Sequence, residues 1–300
     1  MTYAAFLVQF VLLPTGLLAL LVWRDRRRGV RLPPSLCSTP AWAAVLLHVM
    51  IAVAYTTPWD NYLIVTGVWR YDPNLVAGIF VGWVPIEEYC FFVLQPILIG
   101  LWIVWIAPRR RPSLSLKPSS TVRAAAVVAL LPAWLLSAAQ LAIGAAPQPT
   151  YLSLILVWAL PPIMLQLGFG ADILLRHRAL VLTGIAVPTA YLIIADALAI
   201  NAGTWTINPQ TSLGLTVLPS LPLEEAVFFL MTTVLITCGV VLLLAEESRA
   251  RLAGWLPGGT VRRRRGYSRT RTDLTVETRW LVHRAMDAPT QRRAFGTGES

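Results

Sequence analysis

Two short acidic stretches hold the residues best suited to chemistry. The first is Val84-Pro85-Ile86-Glu87-Glu88-Tyr89-Cys90-Phe91-Phe92. A near copy, Leu221-Pro222-Leu223-Glu224-Glu225-Ala226-Val227-Phe228-Phe229, follows 137 positions later. About 20 uncharged residues come after each doublet. Apolar chain precedes them as well, over Leu75–Ile86 and Ala197–Leu223. Carboxylates flanked in this way are costly to hold in a bilayer and point to function. A carboxylic acid kept protonated in an apolar pocket can act as a general acid near neutral pH, and a second carboxylate can serve as the base. Such doublets titrate as coupled sets, so no single role is assigned to Glu87, Glu88, Glu224 or Glu225.

Neighbouring helix positions point about 100° apart, so the members of one doublet do not share a face. Positions i and i+4 do share one. Glu87 lies with Phe91, Glu88 with Phe92, Glu224 with Phe228 and Glu225 with Phe229. Aromatic rings beside an acid also suit holding a carbocation, which is attracted to π faces. Trp69 and Trp205 offer further rings, and Tyr55, Tyr191, Asp60 and Asp196 recur at matched positions; all are candidates to line a substrate. Simpler readings compete with these. Proline and acids both suit the first turn of a helix. Tryptophans gather at membrane interfaces. Asp60 and Asp196 also fit solvated helix ends, and His48 fits a packing residue.

The elements that would position these groups are membrane spans. The 300 residues are 56% hydrophobic, too apolar for an ordinary soluble domain. Seven apolar segments are long enough to span, at approximately 3–23, 41–58, 77–107, 123–145, 151–170, 179–200 and 216–245. The first reads as a retained span and not a signal peptide. The +10 net charge does not indicate nucleic acid, because the charges lie in short loops and a tail. Alternate loops and the tail hold 24 of the 25 basic residues, and Arg70 stands alone on the other side. The N-terminus is therefore expected outside and the C-terminus in the cytoplasm of a cell-membrane protein. Three scattered cysteines and three isolated histidines give neither a disulfide frame nor a metal site. A retinal protein would need a lysine in its last span, and the one lysine, Lys117, is in a loop.

The acidic stretches belong to a longer repeat. At an offset of 136, Tyr55, Asp60, Gly67, Trp69, Pro73 and Gly78 match Tyr191, Asp196, Gly203, Trp205, Pro209 and Gly214. One inserted residue gives 137 from Pro85 onward. Spans 1–3 and 5–7 are therefore two copies joined by span 4. That predicts an all-α membrane protein of seven transmembrane helices, built as two parallel three-helix repeats with one extra helix. The segments are 1–108, 109–148 with the fourth span, 149–246, and an arginine-rich tail over 247–300 whose run Arg262–Arg265 suits anionic headgroups.

With Thr57-Pro58-Trp59-Asp60-Asn61, Gly67-Val68-Trp69 and both Pro-x-Glu-Glu motifs, residues 1–246 resemble the small membrane-bound lycopene cyclases of actinobacteria, archaea and fungi. Some members are two separate polypeptides, and this chain looks like both fused. The resemblance implies a carotenoid substrate, catalytic acidic motifs and no cofactor; no dinucleotide fingerprint is present. It adds Asn61 to the candidate substrate-lining residues. A protonated glutamate would protonate the terminal double bond of lycopene. The tertiary cation would close a six-membered ring, and a carboxylate would remove a proton. Whether a β, ε or γ ring results depends on where the base sits. Implied partners are lycopene, membrane lipid and other carotenoid-pathway enzymes, with no nucleic acid. A C50 carotenoid cyclase is the alternative within the class. A proton-coupled transporter is the alternative outside it, disfavoured because spans 1, 4 and 5 hold almost no polar residues.

Overall fold

A computed structural model describes residues 1–110, 117–144 and 146–255. The tail from residue 256, with Arg262–Arg265, lies outside these described residues. Among the described residues, seven helices are long and apolar enough to cross a membrane. They are α1 (Tyr3–Arg27), α2 (Ala41–Val65), α3 (Ile86–Ile106), α4 (Ser120–Ile143), α5 (Thr150–Arg176), α6 (Arg178–Asn201) and α7 (Leu223–Leu244). A short α8 (Glu246–Trp255) follows. Prolines lie inside α2, α3, α4, α5 and α6, where each removes a backbone donor. In a bundle, neighbouring helices compensate for such breaks. Ahead of Thr15, α1 widens into a π-turn over Leu7–Leu12, beside Pro14.

The third and seventh apolar segments begin later as helices than their hydropathy suggests. Residues 77–85 and 216–222 are irregular chain and tight hairpins. In one, β2 (Phe80–Val81) pairs with β3 (Val84–Pro85); in the other, β5 (Thr216–Leu218) pairs with β6 (Leu221–Pro222). Each hairpin delivers a proline to the helix N-cap, Pro85 for α3 and Pro222 for α7. Proline's fixed φ and missing N–H end the strand and open the helix. The second helix runs seven residues further than expected, to Val65, and the sixth keeps its expected length to within a residue at each end. Asp60 and Asp196 therefore sit inside them at 0% and 1% exposure, which sets aside the solvated-helix-end reading.

The two copies meet about a local two-fold. Strands β1 (Trp69–Tyr71) and β4 (Trp205–Ile207) pair antiparallel, with Arg70 opposite Thr206, its own counterpart in the repeat. Flanking this pair, Asn208 donates its N–H to Val68 at 2.8 Å, and Asp72 donates to Thr204 at 3.4 Å. Deeper in the bundle, Gln95 Nε2 donates to Thr232 Oγ1 at 3.1 Å, again between matched positions. The Tyr55 hydroxyl donates to the Trp158 carbonyl at 2.8 Å, and Tyr191 donates to the Phe10 carbonyl at 2.9 Å. Each second helix is thereby fixed to the first helix of the other copy. The most buried helices, α3 and α7, lie at the centre with their acidic ends together. Helix α4 packs along α5, and so associates with the second copy.

Candidate active site

The helix starts divide each doublet. Because consecutive residues diverge by about 100°, only one glutamate of each pair can face the bundle axis. Glu87 Oε1 accepts the Ala77 N–H at 2.5 Å. Glu224 Oε1 accepts the Leu213 N–H at 2.7 Å, and its Oε2 accepts the Ser212 hydroxyl at 3.2 Å. These two clamp the chain entering each hairpin. Glu88 and Glu225 turn inward. The hydroxyls of Tyr3 and Tyr71 both donate to Glu88 Oε2, the second at 2.8 Å. The Tyr151 hydroxyl donates to Glu225 Oε1 at 2.6 Å. Tyr71 lies on β1, outside the helices. Burial and the nearby Glu88 carboxylate push its phenol well above the usual range, so it remains a donor.

Glu88, Glu225 and Asp196 line one small cavity of about 30 Å³, room for about one water. The other lining residues are aromatic: Tyr3, Phe6, Trp69, Tyr71, Phe91, Trp205, Phe228 and Phe229. No arginine, lysine or histidine is among them. The tryptophans cross between copies. Trp205 packs on Tyr3 at 5.0 Å and edge-on to Phe6 at 5.0 Å, while Trp69 packs on Tyr151 at 5.9 Å. Burial at 6% and 8% exposure removes Trp69 and Trp205 from the interfacial-belt reading.

The two-fold is broken at the acids. Tyr71 corresponds to Ile207, so Glu88 has a second phenol that Glu225 lacks. Trp205 Nε1 donates to Asp196 Oδ1 at 3.0 Å, leaving Asp196 Oδ2 without a partner among the described residues. In the other copy, neither Asp60 oxygen nor Trp69 Nε1 has a partner there.

The remaining candidates are placed elsewhere. Phe92 is buried beside Tyr89 at 5.6 Å, off the cavity. Asn61 accepts the Trp83 N–H at 2.8 Å and holds the first hairpin. Tyr55 and Tyr191 make the inter-copy bonds already described. Tyr55 also borders a groove of about 340 Å³ with Thr56, Trp158, Pro162 and Leu235. Gln95 and Thr232 line this groove one turn beyond Phe91 and Phe228, which line the cavity. Trp59, stacked on Trp158 at 4.5 Å and on Phe228 at 5.7 Å, walls the space between them.

Sequence reasoning missed Tyr3, Tyr71, Tyr151, Phe6, Trp59 and Trp158. Tyr3 and Tyr151 are equivalent: their N–H groups bind the carbonyls of Leu75 and Thr211 at 2.8 and 3.0 Å, and those two residues match at offset 136. The tyrosines themselves match at offset 148, the same spacing that relates Phe10 to Trp158. The change in offset arises between the first and second helices of each copy. A loop joins α1 to α2, whereas His177 alone joins α5 to α6.

A lycopene cyclase family model matches residues 2–106 and 148–244. The chain is 38% identical over 201 residues to a lycopene beta-cyclase of Halobacterium salinarum, covering 67% of this chain and 81% of that one. It is 38% identical over 186 residues to a bifunctional lycopene cyclase/phytoene synthase of Phycomyces blakesleeanus, covering 60% of this chain and 31% of the relative. A protein of the same description from Blakeslea trispora is 34% identical over 205 residues, covering 64% and 32%. No solved structure matches significantly.

Proposed function

The chain belongs to the lycopene cyclase family, and we propose that it is a lycopene β-cyclase whose reaction takes place between Glu88, Asp196 and Glu225. The observation that carries this reading is the cavity where three buried carboxyl groups face aromatic rings with no cation among the lining residues. Three uncompensated negative charges at such range are strongly disfavoured, so protons are retained there. The site then holds both a proton to give and a carboxylate to receive one.

One acid adds H⁺ to the terminal double bond of a linear end group. The next-but-one double bond attacks the tertiary cation and closes a six-membered ring. A carboxylate removes a ring proton and leaves the new alkene. Atoms and electrons balance without oxidant or reductant, so the overall change is an isomerisation. We assign the base to Glu88. Two phenol hydroxyls on one oxygen stabilise a carboxylate, because charge-assisted hydrogen bonds are the stronger kind. Glu225, with one phenol, and Asp196, with one free oxygen, are the donors. Trp69, Trp205 and Phe228 present π faces to the cation. The cavity is smaller than a ring, so the end group enters as the aromatic wall parts. The adjoining groove takes the polyene.

We infer from the distribution of basic residues that the N-terminus lies outside and the tail in the cytoplasm. Cysteine at position 70, which is exposed, would then be labelled from outside in intact cells; labelling only after permeabilisation would reverse the orientation. Co-expression with a lycopene-producing pathway tests the activity. β-Ring products are expected. Unaltered lycopene, with the protein folded in the membrane, would count against the reading.

A further inference from the structure

Two cavities roomier than the acid-lined one and its adjoining groove lie away from the acids, at the basic end of the first copy. One, of about 500 Å³, is bordered by Asp25, Arg26, Arg31, Trp42 and Trp105. The other, of about 490 Å³, lies between α1, α2 and α3 and is lined by Ala19, Val45, Val49, Val93, Ile97 and Leu101. Val22, Arg26, Ala41, Trp42 and Val104 border both, so the two form one cleft with a cationic mouth and an apolar shaft. Asp25 at the mouth is paired with Arg109. Arg26 and Arg31 are exposed and have no carboxylate partner among the described residues.

The cleft follows from chain connectivity. Where His177 alone turns α5 into α6, the first copy has a loop that lets α1 and α2 stand apart. Along α3 the lining runs from Val104 back to Val93, about 16 Å at the helical rise. That shaft suits a hydrocarbon chain, and the mouth suits an anion at the depth of a headgroup. Trp42, 68% exposed, and Trp23, 54% exposed, flank it as amphipathic rings suited to a membrane interface.

We propose that this cleft binds one anionic glycerophospholipid, with its phosphate between Arg26 and Arg31 and one acyl chain along Val45, Val49 and Ile97. A zwitterionic lipid would fill the shaft and offer a phosphate, but it would bring a quaternary ammonium group to a mouth that already holds two guanidinium groups, so charge complementarity selects the anionic class. The site stands apart from the acids and does not depend on the reaction they perform.

The test uses the full chain in detergent, with phosphatidylglycerol, phosphatidylcholine or glycerol 3-phosphate added. Thermal unfolding and native mass spectrometry are the readouts. Phosphatidylglycerol is expected to raise the unfolding midpoint and remain as one bound molecule, with little response to the other two. Arg26→Gln with Arg31→Gln should weaken phosphatidylglycerol binding by about tenfold or more, from the contribution of two basic groups. Val49→Trp, which fills the shaft and keeps both arginines, should weaken it independently. An equal response to phosphatidylcholine would overturn the selectivity, and an equal response to glycerol 3-phosphate would overturn the chain-binding shaft. Preference retained in the double arginine variant would assign it to another basic segment and overturn the site.

Discussion

Glutamine in place of Glu88 or Glu225 keeps the side chain's shape and a hydrogen-bond acceptor but cannot carry a proton between substrate and solvent. If these groups perform the acid–base steps, each variant should cyclise lycopene about 10²-fold more slowly or worse at normal membrane levels. Glu87→Gln and Glu224→Gln should stay within about tenfold of the parent, since each weakens a bond to a loop amide worth about 1 kcal/mol. The reverse ranking would move the chemistry to the outer pair. Tyr71→Phe removes one of the two phenols that hold the proposed base. It should alter the ratio of β to other ring types more than Tyr151→Phe does, because the base's position decides which proton leaves. Pigment analysis reads both results. The doublets were legible as acids from their apolar flanks. Their division into an inward and a clamping member follows from helix geometry. The choice of which member points inward did not, because that depends on where Pro85 and Pro222 start their helices and which loop amides lie nearby.

Among the elements, the helices were legible to within a few residues because each is a long uncharged run. The hairpins were hidden because residues 77–85 and 216–222 are as apolar as the spans they precede. Backbone conformation distinguishes them. Gly82 has φ 67°, and a Cβ there would collide with the Asn61 side chain that holds this turn. Gly82→Ala should therefore lower the unfolding midpoint by the equivalent of about 1 kcal/mol or more, through left-handed backbone strain and loss of the Asn61 contact. An unchanged midpoint would show that the hairpin does not hold the start of α3. The first helices of the two copies escaped alignment for a related reason. A loop present in one copy and nearly absent in the other shifts the offset, so Tyr3 and Tyr151 matched only once their backbone bonds were seen. Propensity and hydropathy are local, whereas the Tyr3–Glu88 and Tyr151–Glu225 pairs span 85 and 74 residues.

For the whole molecule, α8 is tied to the bundle by charge. Arg251 bonds Asp172 at 2.7 Å, and Arg176 bonds Glu247 at 3.0 Å with His177 Nε2 at 3.7 Å. His177 and Arg176 hold the Glu247 carboxyl below its usual 4.5. A depressed carboxyl pKa stabilises docking above the unfolded value and loses that stabilisation as pH falls through the folded one. Protection from hydrogen exchange over residues 246–255, taken relative to the intrinsic rate at each pH, should fall as pH drops below about 4.5, and Glu247→Gln should flatten that part of the dependence. Protection insensitive to pH in the parent would show that the Glu247 carboxylate does not hold α8 to the bundle. Truncation after residue 255 should leave cyclisation intact, since the matched family region ends at 244.

The paired copies make a stronger demand. Glu88 comes from one copy, and Asp196 and Glu225 from the other. The wall between them is assembled by Trp205 on Tyr3 and Trp69 on Tyr151. Neither copy encloses the cavity alone. The connection between Arg110 and Lys117 is the place to divide the chain, because α4 packs on α5 and should travel with the second copy. Fragments 1–110 and 117–300 each retain their helices. The β1–β4 ladder and the α3–α7 contact give them a shared apolar and hydrogen-bonded interface. Expressed together in lycopene-producing cells, the fragments should restore cyclisation; expressed singly, each should insert and leave lycopene unchanged. Trp205→Ala in the second fragment removes a ring that crosses to Tyr3, so it should impair the reconstituted pair even though both inward glutamates remain. Activity from either fragment alone would place all the proton chemistry within one copy and refute the shared site.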